Sequence, residues 1–164
     1  MLFVGDSVAL GAQGAVTAAL AANFDLRFEA SVSRTTADGA GVVTATPAAN
    51  RRAVVVHMGH NDGADQPIFA PRLQSLVAAT AGSELVMLLT IAEAHAYYVA
   101  ANQTIRSMAS LRPGVRILEW GARSISDTSL TGPDGLHLTA AGAQALASMV
   151  HGELEAWRVT LGGC

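Results

Sequence analysis

Five short apolar runs, each followed by a stretch of helical periodicity, leave this chain few folds to choose from. The runs occupy residues 2–5, 26–32, 53–58, 84–91 and 115–120 and are rich in valine, leucine and isoleucine. They are apolar almost throughout rather than at every second position, the pattern of strands covered on both faces. Between them, residues 8–22 set Val8, Ala12, Ala15, Val16, Ala19 and Leu20 on one helical face. Residues 67–80 do the same with Phe69, Leu73, Leu76, Val77 and Thr80, with Pro67 or Pro71 tolerated in the first turn. Residues 94–111 carry Tyr98, Ala101, Ile105 and Met108 at helical spacing. Residues 139–157 carry Leu146, Val150, Leu154 and Trp157, with Thr139 as N-cap. Residues 35–50 are expected to be helical only in part, because glycines interrupt them. Alternation of this kind means a parallel sheet with helices on both faces, joined by right-handed crossovers. The expectation is a three-layer α/β fold, one domain over residues 1–164.

Composition narrows the function classes. Half the residues are hydrophobic and 14% are charged, so a packed core is expected rather than a disordered chain. The net charge of −3 argues against nucleic acid or an anionic membrane as main partner, since both call for a basic face. All ten cationic residues are arginine. The one cysteine, Cys164, excludes an intrachain disulfide. No run reaches the 18 or more apolar residues of a membrane span, and the apolar start is too short for a signal peptide. The chain therefore reads as soluble: cytoplasmic if complete, extracytoplasmic if it is the excised soluble part of something larger.

In an open parallel sheet, sites form at the carboxyl edge of the strands. Gly5-Asp6-Ser7 follows the first run, and Ser31-Val32-Ser33-Arg34 follows the second. The third ends in Gly59-His60-Asn61-Asp62, and Asp134-x-x-His137 precedes the last helix. A hydroxyl, an amide, a carboxylate and an imidazole are thus all directed to one edge. Each block is modest alone; Gly-Asp-Ser arises by chance in about one chain of this length in thirty. Its bland reading is a strand-to-helix turn in which Asp6 or Ser7 caps a helix. The chemical reading is a nucleophile. A serine hydroxyl is weak at neutral pH and needs a neutral imidazole to take its proton, which in turn needs a carboxylate to fix its tautomer. Asp134 and His137, three apart, can meet in one short turn. Asn61 either caps a turn or donates its amide N–H to a developing oxyanion.

Gly5-Asp6-Ser7, Gly59-x-Asn61-Asp62 and Asp134-x-x-His137 resemble the signature blocks of the SGNH (GDSL) hydrolase family, in matching order and over nearly the whole chain. The resemblance implies a flavodoxin-like α/β/α sandwich with a five-stranded parallel sheet in the order 2-1-3-4-5. It implies a triad of Ser7, His137 and Asp134, and an oxyanion hole from the N–H of Ser7, the N–H at Ser31 and the side chain of Asn61. Where the family usually carries a glycine, this chain has Ser31. Gly5-Asp-Ser-Val-Ala-Leu-Gly-Ala12 with Val-Ser-Arg34 resembles the SGNH domains of glycan O-acetyltransferases, commonly fused to a membrane acyltransferase, whereas Gly-His-Asn-Asp62 looks like the ordinary esterases. The implied activity is hydrolysis of short-chain, acetyl-like O-acyl esters on carbohydrate, with transfer to a glycan hydroxyl as the alternative. No cofactor is implied.

Several further residues invite a role. Asp6, Arg34, Gly59 and His60 are candidates to line the substrate site. His57, inside the third run, reads as a packed histidine. Asp62 reads as a loop-bonding residue. Glu93, His95, Tyr97 and Tyr98 follow the fourth run and are placed at the pocket rim, with His95 the rival base. His151 and Glu155 form a helical pair. A metal site from His57, His60, Asp62 and His137 lacks any supporting motif. Against the enzyme reading stands a non-catalytic flavodoxin-like binding module in which the same residues serve only as caps and turns.

Overall fold

The computed structural model describes residues 1–162; Cys164 lies outside them. Five strands form one parallel sheet: β1 (Leu2–Gly5), β2 (Arg27–Ala30), β3 (Ala53–His57), β4 (Leu85–Leu89) and β5 (Val115–Leu118). Their order is β2-β1-β3-β4-β5, as the family resemblance implied. The three central strands are buried at every residue, which explains their unbroken apolar sequence. β2 departs from that pattern. It is an edge strand whose Arg27 and Glu29 pair with each other at 2.9 Å and stay partly exposed.

Period-two alternation sorts the sheet's side chains between two cores. Val4, Val54, Val56, Val86 and Leu88 face α3 (Thr36–Ala45), α4 (Gln66–Ala79) and α5 (Tyr97–Ser107), meeting Val43, Phe69, Leu73, Leu76 and Ile105. Phe3, Val55, Leu85, Met87 and Leu118 face the other layer. There they meet Val16 and Leu20 of α2 (Gln13–Leu20), Trp120 at the start of α6 (Trp120–Ser126), and Leu146, Val150 and Leu154 of α7 (Ala140–Thr160).

Two helical expectations change. The single helix expected over 8–22 is divided, with α1 (Ser7–Leu10) ending at Gly11 before α2 begins. α6 was not expected at all. It is seven residues long and contains a glycine, so it offers little periodicity to read. The other helices lie close to expectation. Thr35 closes α3 with a reciprocal capping box through Asp38, and Thr139 caps α7 by accepting from the Gly142 N–H at 3.1 Å.

β1 and β3 are neighbours in register, Gly5 beside His57, so both strands stop at the same edge and their loops lie side by side. At Gly5 the chain turns sharply into α1. A Cβ there would sit 2.1 Å from the Cβ of Ala9, so only glycine permits the turn that presents Ser7.

Candidate active site

Ser7 occupies the first position of α1, capped by Asp6, whose carboxylate accepts from the Val8 N–H at 3.0 Å. The first N–H groups of a helix have no carbonyl partner within it, so the backbone N–H of Ser7 is available to a ligand. The Ser7 side chain lies 3.2 Å, Oγ to Nε2, from His137. That is within reach for proton transfer.

His137 and Asp134 sit in a tight loop between α6 and α7. An antiparallel bridge between Thr131 and Leu138 closes the loop, with the Gly132 N–H donating to the His137 carbonyl at 2.7 Å. Gly135 has a φ of +67°, a left-handed turn that glycine makes without strain. This turn brings His137 Nδ1 to 2.7 Å from Asp134 Oδ2, while Asp134 Oδ1 accepts from the N–H groups of Leu136 and His137 at 2.9 and 3.0 Å. The His137 imidazole and the Leu136 N–H hold the Asp134 carboxyl down at about 2. It is therefore charged at neutral pH and fixes Nδ1 as the protonated nitrogen of a neutral ring, leaving Nε2 as acceptor toward Ser7. Both side chains are about half exposed, so the hydroxyl–imidazole–carboxylate row opens to solvent.

The expected oxyanion donors fare differently. Asn61 is exposed beside the site and uses one side-chain N–H on the Arg34 carbonyl at 2.9 Å, which holds the amide in place with a second N–H remaining. Ser31 is corrected. Its N–H reaches Gly5 O at 3.3 Å, extending the β1–β2 ladder by one rung, and is directed into the sheet rather than out of it. Beyond it the loop turns through Ser33 at φ +59°, closed by the Arg34 N–H on the Ser31 carbonyl.

The residues expected to line the substrate site lie mostly beneath it. Asp6 is fully buried, Gly59 is buried, and the His60 side chain is 2% exposed. The physical reason is a buried carboxylate–imidazole contact. His60 Nδ1 stands 2.8 Å from Asp6 Oδ2, and the His60 N–H donates to the same oxygen at 3.4 Å. Burial pushes the Asp6 carboxyl up, but His60, and the Val8 N–H after it, outweigh this and leave it below the usual carboxylate range. The pair ties the turn of Ser7 to the loop of Asn61. Arg34 is likewise turned inward, its guanidinium donating to the carbonyls of Glu29 and Gly5. The pairing of Asp6 with His60 was missed at the sequence level, although their two strands being neighbours was a usable signal.

Deeper still, His57 is fully buried and held down at about 3, by burial first and then by His60, so it stays neutral. Neither of its ring nitrogens has a hydrogen-bond partner among the described residues. Asp62 bonds the N–H and hydroxyl of Thr36 and pairs with Arg72, fastening α3 and α4 to the loop after β3. His151 stands 3.8 Å from Glu155 on α7. Among the described residues no three His, Cys, Asp or Glu side chains gather to hold a metal ion, and no helix is long and apolar enough to cross a membrane.

The rim beyond the Asp134–His137 turn is built by the loop from β4 to α5. Gly135 packs against Ala94, and a cavity of about 230 Å³ lies between Glu93, Ala94, Ser124, Ile125 and Gly135.

This sheet order, with its loops on one edge, is the fold of the SGNH (GDSL) hydrolases, and solved structures bear that out. The C-terminal catalytic domain of peptidoglycan O-acetyltransferase A from Streptococcus pneumoniae, solved with a methylsulfonyl adduct, superposes with a TM-score of 0.79 at 23% identity, covering 94% of this chain and 92% of that one. A lipase/acylhydrolase from Enterococcus faecalis gives 0.77 at 15% identity, covering 94% and 95%. A family 3 carbohydrate esterase from Clostridium thermocellum gives 0.73 at 14%, covering 97% and 96%. In sequence, 49 residues are 45% identical to peptidoglycan O-acetyltransferase OatA of Listeria monocytogenes, a match over 30% of this chain and 8% of that protein. No protein-family model matches the chain.

Proposed function

We propose that this chain is a serine esterase of SGNH type that removes short acyl groups from carbohydrate esters. The observation that carries the reading is the continuous row from Ser7 Oγ through His137 to Asp134, with separations of 3.2 and 2.7 Å. In the proposed reaction Ser7 Oγ attacks the ester carbonyl as its proton passes to His137 Nε2. The oxyanion is held by the Ser7 N–H and the Asn61 amide. The ester C–O bond then breaks, and the proton moves from His137 to the leaving alcohol. Water attacks the acyl-enzyme with its proton taken by His137, and the acid departs as Ser7 regains its hydrogen. Asp134 steadies the imidazolium at each step. The carbohydrate esterase among the structural neighbours supports the substrate class.

A second reading is acyl transfer to a glycan hydroxyl. It is favoured by the two likenesses to peptidoglycan O-acetyltransferases. An extracytoplasmic setting goes with this reading. The solved relative is itself the C-terminal catalytic domain of its protein.

Turnover of p-nitrophenyl acetate tests the enzyme reading. The unaltered chain should hydrolyse it, and Ser7→Ala should lose about four orders of magnitude or more in kcat. Equal rates in the two would leave Ser7 a mere helix-start residue. Adding an oligosaccharide acceptor and following acetylated sugar against free acetate separates transfer from hydrolysis.

A further inference from the structure

We propose that the stacked side chains of His95 and Tyr97 form a sugar-binding platform beside the triad, a subsite for a neutral pyranose that carries or neighbours the reacting ester. The proposal rests on the ester-hydrolase reading for its substrate class and deepens it.

Tyr97 is the exposed aromatic of this chain. Phe3, Phe69, Tyr98 and Trp120 are in the cores, whereas Tyr97 is 44% exposed, the one Phe, Trp or Tyr in the exposed class among the described residues. The ring is nonetheless held in place. His95, also exposed, stacks on it at 5.0 Å between centroids and 29° between planes. Tyr98 packs edge-on at 4.6 Å and 71°. Tyr98 in turn is 3% exposed and anchors its hydroxyl on the His60 carbonyl at 2.7 Å. An aromatic surface so pinned loses little conformational freedom when a ligand covers it.

Its position is set from two sides. Ala94, directly before His95, packs on Gly135 inside the Asp134–His137 turn; a Cβ on Gly135 would lie 3.4 Å from that of Ala94. Tyr98 fastens the start of α5 to His60, the residue before Asn61. The segment that carries the stack is thus held at one end to the Asp134–His137 turn and at the other to the loop of Asn61.

The chemistry that matches such a surface is amphipathic. A pyranose ring offers a face of C–H groups with hydroxyls around its edge. The tyrosine and histidine rings offer apolar faces with polar groups at the rim.

The test uses chitotetraose as a neutral oligosaccharide, its O-acetylated form as substrate, and ethyl acetate as an ester without a ring. In Tyr97→Ala, the ratio of kcat/KM for the acetylated oligosaccharide to that for ethyl acetate should fall about 2–10-fold, the range expected for one aromatic contact. Tyr97→Trp should restore the ratio, and His95→Ala should lower it in the same direction. A ratio unchanged in Tyr97→Ala, with both esters untouched or both slowed alike, overturns the platform. Should the unaltered chain turn over neither ester, the hydrolase reading fails by itself. The platform is then decided by calorimetric binding of chitotetraose, expected for Ser7→Ala and weakened in Tyr97→Ala. Equal binding by the two overturns it.

Discussion

Replacing Asp6 by alanine removes one carboxylate that does two jobs, and the loss can be worked from the geometry. Its Oδ1 caps α1 through the Val8 N–H, a contact of the kind that contributes about 1 kcal/mol. Its Oδ2 accepts from the His60 ring and backbone, and in its absence a buried donor is left unpaired, at about 1–3 kcal/mol. Together the substitution should cost about 2–4 kcal/mol, a large part of the 5–15 kcal/mol that holds a typical domain folded. With a urea slope of about 2 kcal/mol/M, the unfolding midpoint should drop by about 1–2 M. Circular dichroism at 222 nm, a helix-sensitive wavelength, follows the transition. Asp6→Ala combined with His60→Ala should cost less than the sum of the two, by about 1–3 kcal/mol, because the second change removes the group the first one orphaned. The pH dependence has a definite sign. The Asp6 carboxyl is lowered in the folded chain, so its contribution is complete above the unfolded value near 4 and is lost as pH falls through the folded one. The gap between wild type and Asp6→Ala should therefore narrow on acidification. A loss below about 1 kcal/mol, or strict additivity with His60→Ala, would refute the buried-pair argument.

Asp134→Asn should keep the loop closed but favour the wrong imidazole tautomer, lowering kcat about 10³–10⁴-fold. Since the Asp134 carboxyl is held at about 2, it stays charged well into the acidic range, so an acid limb of the pH–rate profile above that value should survive in this variant at reduced height. An acid limb that vanishes assigns it to Asp134 instead. Asn61→Ala should lower kcat about 10²–10³-fold with KM little changed, measured on p-nitrophenyl acetate; a change confined to KM would make Asn61 a binding residue. Gly5→Ala would thrust a Cβ into Ala9 and should lower both the melting temperature and esterase activity; unchanged values would mean the β1–α1 turn can relax.

Why some features were legible and others not follows from what a linear pattern encodes. Strand ends are marked by the switch from apolar runs to glycine and polar residues, so the blocks at Ser7, Asn61 and His137 could be assigned to one edge before any coordinates. The Asp134–His137 contact needed only a three-residue spacing. Burial in loops is another matter. Asp6, Gly59 and His60 read as solvent-facing because polar residues after a strand usually are, yet β1 and β3 are adjacent and central, and their loops cover each other. The Ser31 N–H failed for a similar reason: whether a ladder continues one rung beyond β2 depends on strand register, which no residue type announces. The split of the first helix at Gly11 and the brief α6 fall below the length at which periodicity is readable.

The most direct measurement is intact-mass analysis after exposure to a fluorophosphonate, with the modified residue located by peptide sequencing. A hydroxyl activated by an imidazole predicts one adduct, on Ser7, forming readily in the unaltered chain and at a small fraction of that rate in His137→Ala. No adduct, an adduct elsewhere, or labelling of Ser7 indifferent to His137 would contradict the account.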